Sequence, residues 1–378
     1  MKNKLLIVLL IAICFVSIGN NVKDIVQVKA DIVASAARGM VVLEGNSNTV
    51  MYEYDAHVQM PMASTTKIVT AIVAIENCDD LDTKFVVSDN AVGIEGTSIY
   101  IKSGESLSMR ELLYGLILAS GNDCAVAIAE YFGSEDKFVG MMNDYVASLG
   151  LKNTHFDNPH GLDGGTHYTT AYDLAVVTAN ALDNDIFREI VSTERMVIDA
   201  TDKYQARYLK HKNKLLFTDD NCIGVKTGFT DNAGRCLVNA HEENGLQIIS
   251  VVLNCQPMFE ECDRLTKLAL DNYEYVDFVA PYTFVSDVNI ESSDKTEIGV
   301  ITIDGYGCPI LKSEKDMYSV KYNLPDSIVA PINLNQVVGY VEVYYNDEVI
   351  YCGELITIEG ADNNDMRYVL DNIIDKWF

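Results

Sequence analysis

The sequence has little positive charge and, beyond its first thirty residues, no long apolar run. It contains 28 Lys and Arg against 55 Asp and Glu, a formal net charge of −27 over 378 residues. A chain this acidic is a poor candidate for nucleic-acid binding, because contacts with phosphates need Lys and Arg. No run after residue 30 approaches the roughly 18 apolar residues that a membrane-spanning helix requires. We therefore expect no nucleic-acid partner and no transmembrane helix in the mature chain.

The sequence also lacks the spacing of a metal site. Its nine cysteines form no CxxC pattern, and several lie inside apolar runs, which favours buried free thiols. Eight of them follow residue 30, and this even number leaves disulfides open in an exported chain. His155, His160 and His167 cluster in a loop rich in Gly, Asp and Asn, without zinc-site spacing. We predict neither a metal nor another cofactor.

Residues 1–30 have the order of a secretory signal peptide. Lys2 and Lys4 precede an apolar run from Leu5 to Ile18, and Val28-Lys29-Ala30 resembles a cleavage site. An uncleaved anchor is the alternative. In either case we expect the rest of the chain to lie outside the cytoplasm.

The remaining residues, about 350, predict two domains. Residues 31–277 mix helical and strand patterns, whereas residues 278–360 contain short strand-like runs separated by Gly, Asn, Asp and Pro. This second pattern predicts a small all-β sandwich. Residues 361–378 end the chain, and from residue 366 their apolar side chains recur at helical spacing. They predict an amphipathic helix whose apolar side meets either protein or lipid.

The candidate nucleophile is Ser64, in the segment Pro61-Met-Ala-Ser-Thr-Thr-Lys67. An apolar segment follows it without a break and predicts a buried helix. Ser64 and Lys67 are three residues apart and share a helix face. A lysine whose pKa is lowered by burial or by a second cation can act as base for a hydroxyl. The alternative is a helix-capping serine, and the same Ser-x-x-Lys pattern at Ser134 and Ser292 lies in polar surroundings that indicate solvated turns.

Two further motifs carry polar groups on short connections. Ser120 and Asn122 interrupt two apolar helical segments, where a hydroxyl and a carboxamide can face a cleft. An ordinary helix–helix turn is the alternative there, and Ser88-Asp89-Asn90 repeats the pattern in a polar stretch. Lys226-Thr227-Gly228 lies on a predicted strand. It offers a cation, a hydroxyl and a position without a side chain, where a substrate can lie along the backbone; an ordinary strand end is the alternative.

The three motifs occur in the order known for penicillin-recognising serine enzymes. Longer segments around them resemble the low-molecular-mass D-alanyl-D-alanine carboxypeptidases: Pro61–Lys67, Ser120–Asp123, Asn158–Leu162 with His167–Ala171, and Lys226–Thr230. The resemblance covers residues from about 35 to 275, and the β domain and terminal helix, which resembles that family's membrane anchor, extend it. It implies an α/β (α+β) fold of the β-lactamase/transpeptidase-like type, with an antiparallel sheet between helices, followed by the small all-β domain.

The resemblance also implies catalytic roles. Ser64 attacks the carbonyl of the penultimate D-Ala in a peptidoglycan stem peptide and forms an acyl-enzyme, which water hydrolyses. Lys67 takes the serine proton, and Ser120 relays a proton to the departing D-Ala. β-Lactams are then covalent inhibitors.

The implied substrate-binding residues are Asn122 for the peptide amide, Lys226 and Thr227 for the terminal carboxylate, and Gly228 and Phe229 on the same strand. The backbone N–H groups of Ser64 and Phe229 form the implied oxyanion hole.

One segment departs from the family. Relatives often carry an arginine in the region that here reads Lys210-His-Lys-Asn-Lys214. Lys212 is expected to supply part of the attraction for the carboxylate, but a single ammonium lacks the bidentate geometry of a guanidinium.

Two other functions compete with the carboxypeptidase. A class A-like β-lactamase is disfavoured because the loop 153–170 contains no Glu to activate a deacylating water. A catalytically silent wall-binding protein is disfavoured because every polar group of the three motifs is present.

Overall fold

The computed structural model describes residues 31–32 and 35–364. The predicted signal peptide at residues 1–30 and the predicted amphipathic helix from residue 366 lie outside the described residues. The chain separates into two compact units between Asn272 and Tyr273. This separation lies five residues before the predicted boundary at 277, because Tyr273–Val279 pairs with Tyr306–Leu311 of the second unit. Within the part described, no helix is both long enough and apolar enough to cross a membrane.

The first unit contains seven α-helices among its described residues: α1 Lys67–Asn77, α2 Met109–Leu118, α3 Asn122–Tyr131, α4 Glu135–Ser148, α5 Ala171–Leu182, α6 Asp185–Ser192 and α7 Met258–Asn272. Its strands are β1 Asp31–Ile32, β2 Ala37–Glu44, β3 Thr49–Tyr54, β4 Lys84–Val86, β5 Ser106–Ser108, β6 Arg195–Ile198, β7 Arg207–Lys210, β8 Cys222–Thr230, β9 Gly234–Glu243 and β10 Leu246–Cys255. Three short 3-10 helices are Ala63–Thr66, Asp89–Ala91 and Leu215–Phe217.

The central sheet has the order β1-β3-β2-β10-β9-β8, and every neighbouring pair except β1–β3 is antiparallel. Helices cover both of its faces. On β10 the side chains of Ile249 and Val251 belong to the core formed with α1 to α6. Ser250, which points to the opposite face, lies 3.1 Å from the hydroxyl of Thr266 on α7. The predicted antiparallel sheet between helices is confirmed.

Helix α1 is buried on all sides, as its continuous apolar sequence predicts. Every residue from Lys67 to Ile75 is buried. The 3-10 turn Ala63–Thr66 leads directly into the helix at Lys67. Ser64 therefore lies on a turn at the N-terminal end of a buried helix.

The second unit is all β, as predicted. Its strands are β11 Tyr273–Val279, β12 Phe284–Glu291, β13 Glu297–Thr302, β14 Tyr306–Leu311, β15 Tyr318–Asn323, β16 Ser327–Val329, β17 Val337–Tyr345 and β18 Glu348–Thr357, with a 3-10 turn at Lys312–Met317. They form a six-stranded sheet, β15-β17-β18-β13-β12-β16, and the pair β11-β14. Valines and leucines fill its core, among them Val300, Val343 and Leu355.

Cysteines follow the sequence expectation of buried thiols. Five of them are buried and carry free thiols: Cys124, Cys222, Cys236, Cys255 and Cys262. They pack as small apolar residues in the first unit.

Candidate active site

The first two motifs and the loop 153–170 meet around the amine of Lys67. Its Nζ donates to Ser64 Oγ at 2.9 Å, to Asn122 Oδ1 at 2.7 Å and to the backbone carbonyl of His160 at 2.6 Å. The 3-10 turn before α1, the first turn of α3 and the long loop 153–170 each supply one acceptor. These contacts fix the amine beside the serine hydroxyl.

A second amine–hydroxyl pair lies between β8 and the break that separates α2 from α3. Lys226 Nζ donates to Ser120 Oγ at 3.0 Å and to the carbonyl of Thr227 at 2.9 Å. Ser120 is 3% exposed and adopts φ +62°, a conformation uncommon for a residue with a side chain. The break thus turns the Ser120 hydroxyl toward β8.

Burial determines the charge state of both amines. Lys67 and Lys226 have no exposed surface. Burial, followed by the charge of Lys212, lowers the pKa of Lys67 to about 7. Burial, followed by the charges of Lys67 and Lys212, lowers the pKa of Lys226 well below its ordinary value. Because burial and the charge of Lys67 both disfavour a charged Lys226, the two amines together carry fewer than two positive charges near neutral pH.

The carboxamide of Asn122 is fixed on both sides. Its Nδ2 donates to the carbonyl of Glu95 at 2.6 Å, while its Oδ1 receives the Lys67 amine. The backbone N–H of Asn122 donates to the carbonyl of Thr97 at 2.7 Å, and the Thr97 hydroxyl donates to the carbonyl of Ser120. The segment 95–97 therefore positions both polar residues of the second motif.

Two glycines allow the backbone to approach the Ser64 turn closely. A Cβ on Gly228 would lie 3.0 Å from the Met62 carbonyl oxygen and 3.1 Å from the Ser64 nitrogen. A Cβ on Gly161, which has φ +89°, would lie 2.0 Å from the Ala63 carbonyl oxygen. β8 and the loop 153–170 thus pack tightly against the turn that carries Ser64.

One histidine of the loop 153–170, His167, holds the loop against this turn. His167 Nδ1 accepts the N–H of Asp157 at 3.0 Å, so Nε2 carries the proton and faces Thr66 Oγ1 at 2.7 Å. Burial lowers the pKa of His167 to about 4 and that of His160 to about 4 as well, so both rings are neutral. The contacts of His167 give it a structural role in the loop.

Two further motif residues, Thr227 and Phe229, lie on β8. Thr227 is 7% exposed on β8, and Phe229 is 56% exposed with the guanidinium of Arg235 5.4 Å from its ring centroid. Two of the repeated patterns elsewhere are helix caps: Ser134 accepts the N–H of Lys137 at the start of α4, and Ser88 caps the turn Asp89–Ala91.

Sequence reasoning missed the acceptors that are backbone groups. The backbone carbonyls of His160 and Glu95 accept hydrogen bonds from Lys67 and Asn122. Every residue type has such a carbonyl, so the sequence cannot indicate which ones act as acceptors. The only available signal was the conformational one, a Gly at position 161 within a long ordered loop.

Comparison with known proteins identifies the family. Residues 25–257 match the family model for D-alanyl-D-alanine carboxypeptidase, and residues 273–360 match the C-terminal domain of penicillin-binding protein 5. The chain belongs to the D-alanyl-D-alanine carboxypeptidase family. It is a serine-type carboxypeptidase and thus a hydrolase.

Relatives of this carboxypeptidase cover most of its length. It is 31% identical to D-alanyl-D-alanine carboxypeptidase DacF of Bacillus subtilis over 84% of each chain. It is 30% identical to DacA of Escherichia coli over 90% of this chain and 89% of the relative. Penicillin-binding protein 5 of Haemophilus influenzae has a similar structure, with a TM-score of 0.71 at 25% identity, covering 88% of this chain and 99% of that one.

We expect Gly161→Ala to lower both stability and acylation rate. The added methyl meets the Ala63 carbonyl and the backbone has φ +89°, so the loop must move away from the Ser64 turn. The free energy of unfolding, measured in urea, should fall by about 1–3 kcal/mol. Gly165→Ala is the matched control, because no atom lies within 4 Å of its added methyl. Equal effects of the two substitutions would refute this account of the loop.

Proposed function

We propose that Ser64 is the nucleophile of this carboxypeptidase and that Lys67 is its general base. The observation that carries the proposal is the 2.9 Å hydrogen bond between Lys67 Nζ and Ser64 Oγ in a buried site. With a pKa of about 7, Lys67 is partly neutral at neutral pH and can accept a proton. As it does so, Ser64 Oγ bonds to the carbonyl carbon of the penultimate D-Ala, and the C–N bond to the last D-Ala then breaks.

Ser120 is proposed to protonate the departing amine. Its hydroxyl is hydrogen bonded to Lys226 Nζ, so a proton that it gives to D-Ala can be replaced from Lys226. Asn122 Oδ1, fixed by Lys67, retains a second lone pair that can accept the amide N–H of the substrate. Both steps use groups already oriented in the free enzyme.

Lys226, Thr227 and Gly228 are proposed to bind the terminal carboxylate end of the substrate along β8. A bound carboxylate favours the charged form of Lys226. That charge in turn keeps Lys67 neutral. With substrate bound, Lys226 is thus the cation that binds the carboxylate, and Lys67 is the neutral base. Lys212, whose charge acts on both amines, adds to the attraction.

The backbone N–H groups of Ser64 and Phe229 are the proposed oxyanion hole. Gly228 lies on β8 against the Ser64 turn, and its missing Cβ leaves space next to the Ser64 nitrogen. An oxyanion-hole donor typically contributes about 2.7–4 kcal/mol to lowering the barrier.

The proposed substrate is a peptidoglycan stem pentapeptide, and the proposed location is the cell-wall side of the cytoplasmic membrane. The family's activity on D-alanyl-D-alanine and the export signal in the sequence support both. β-Lactams are proposed covalent inhibitors that acylate the same serine, and residues 366–378 are proposed to anchor the protein at the membrane surface.

Penicillin should form one long-lived adduct, on Ser64, while D-Ala is released repeatedly from diacetyl-L-lysyl-D-alanyl-D-alanine. The opened β-lactam keeps its leaving group tethered, whereas D-Ala diffuses away and admits water. Mass spectrometry of the intact protein and of its peptides locates the adduct, with Ser64→Ala and Ser134→Ala as controls. An adduct on another serine contradicts the mechanism, and rapid turnover of benzylpenicillin without peptide hydrolysis indicates a β-lactamase.

Acylation by penicillin should accelerate as the pH rises and level off above about 7. Burial lowers the pKa of Lys67 to about 7, so the neutral base predominates above that pH and is lost below it. Two units below the pKa, the stopped-flow rate should be about a hundredfold lower. Lys67→Arg, which keeps its proton throughout, should be inactive at every pH. A rate independent of pH between 5 and 8 would mean that another group is the base.

Removal of the residues after Gly360 should release the protein from membranes. The apolar side chains of residues 366–378 lie on one side of the predicted helix, which ends in Trp377-Phe378. The charges on the other side balance, so burial of the apolar side must supply most of the binding. Flotation with vesicles measures it. If the truncated protein floats with vesicles as the full chain does, the anchor proposal is wrong and the apolar side of the predicted helix packs against protein.

A further inference from the structure

A cavity of about 640 Å³ opens beside the active site, between the segment 96–100 and β7. Three tyrosines line it: Tyr100, Tyr204 and Tyr208. Tyr208 is 82% exposed and Tyr100 is 66% exposed, so both rings stand at the rim with faces open to a ligand. Exposed aromatic rings around a preformed cavity are typical of a binding site.

Cations concentrate around this cavity although the chain is strongly acidic. Residues 195–214 contain six of the chain's 28 Lys and Arg and only two of its 55 Asp and Glu. Lys210 and Lys212 line the cavity, and Lys102 Nζ lies 4.9 Å from the centroid of the Tyr204 ring. Among the described residues none of these three lysines forms a salt bridge with a carboxylate. Lys210 Nζ lies 4.7 Å from the centroid of the Phe217 ring, so Lys102 and Lys210 both contact aromatic rings, which leave their positive charges unneutralised and able to attract an anionic ligand.

The wall of the cavity is held rigid by a buried ion pair. Arg207 donates from both terminal nitrogens to the carboxylate of Glu105, which has no exposed surface, at 2.8 and 2.7 Å. The same guanidinium donates to the Ile99 carbonyl at 2.7 Å and stacks on Tyr204 at 4.5 Å. This network joins β7 to the segment 96–100. Glu105 neutralises the charge of Arg207, so that charge does not act on a ligand in the cavity. The cavity is thus formed before any ligand binds.

The cavity adjoins the side of the site from which D-Ala departs. Thr97 and Ala119 belong to its lining, and the Thr97 hydroxyl donates to the carbonyl of Ser120. On the proposed function, Ser120 protonates the departing D-Ala and Lys226 binds its carboxylate. The peptide being cleaved ends at that carboxylate, so its chain does not extend into the cavity. A peptide bound in the cavity is therefore a second molecule.

We propose that this cavity is an exosite that binds an acidic peptide of the cell wall other than the one being cleaved. Removal of a terminal D-Ala leaves a new terminal carboxylate, so every processed neighbouring chain still ends in an anion. The ammonium groups of Lys102 and Lys210 attract that carboxylate, and Tyr100 and Tyr208 pack against the apolar part of the peptide. The exosite keeps the enzyme on a polymeric substrate between cleavages.

This proposal rests on the proposed function and is tested first by a comparison of substrates. The double variant Lys102→Gln/Lys210→Gln should release D-Ala from soluble polymeric wall fragments with a kcat/KM lowered by about tenfold. Its kcat/KM for diacetyl-L-lysyl-D-alanyl-D-alanine should stay within about twofold of the parent, because the small substrate does not reach the exosite. Lys267→Gln, which removes a surface charge far along the sequence, is the control and should change neither value. Equal losses on both substrates, or no loss on the polymer, would overturn the exosite.

A binding experiment separates this proposal from the catalytic one. Ser64→Ala protein is mixed with wall fragments whose stem peptides have already lost the terminal D-Ala, and binding is measured by sedimentation. Binding should weaken in the Lys102→Gln/Lys210→Gln background, in Tyr208→Ala, and in about 0.3 M salt, which screens exposed charges. Binding that is equally strong to glycan strands stripped of peptide would overturn the acidic-peptide assignment. Absence of D-Ala release by the parent enzyme, with this binding intact, would contradict only the proposed function.

Discussion

The burial of two lysine side chains in one site is the constraint on which the catalytic unit depends. An isolated ammonium without water is costly unless hydrogen bonds compensate it, and a second ammonium nearby adds repulsion. Lys67 and Lys226 meet this constraint with neutral acceptors: a serine hydroxyl each, the Asn122 carboxamide and backbone carbonyls. A carboxylate in the same position would raise the pKa of Lys67 and remove its proposed use as a base. Neutral polar partners are therefore what allow a lysine to accept protons near pH 7.

The nearest acid on α3 shows how this balance is kept. Asp123 follows Asn122 in sequence, and its charge acts to raise the pKa of Lys67. Its carboxylate is occupied by the N–H groups of Ile99 and Ile101 and by the hydroxyl of Ser98. Those donors stabilise the charge where it is and hold the segment 98–101 in place. One acid thus shapes the wall of the site while the amine of Lys67 retains only neutral contacts.

Side-chain chemistry was predictable from the sequence, and backbone geometry was not. The continuous apolar run after Lys67 predicted a buried helix, and the Ser-x-Asn break between apolar segments predicted a connection that faces the site. The left-handed conformations of Ala63 and Ser120 could not be foreseen, because neither residue type favours φ above zero. The pairing of Glu105 with Arg207 joins residues 102 positions apart, and no local pattern marks it. Contacts that depend on the closed fold leave little trace in a single sequence.

The chain is strongly acidic overall but has local clusters of Lys and Arg, and this difference explains how it can bind a carboxylate. A formal charge of −27 would repel an anionic peptide if it acted at full range. At physiological ionic strength, however, interactions between exposed charges decay over about 8 Å, so only the cations near the ligand count. Lys212 and Lys226 at the proposed carboxylate site and Lys102 and Lys210 at the proposed exosite are those cations. The remaining acidic surface contributes to solubility, whereas the segment 195–214 and β8 determine the sign of the field that a peptide carboxylate meets.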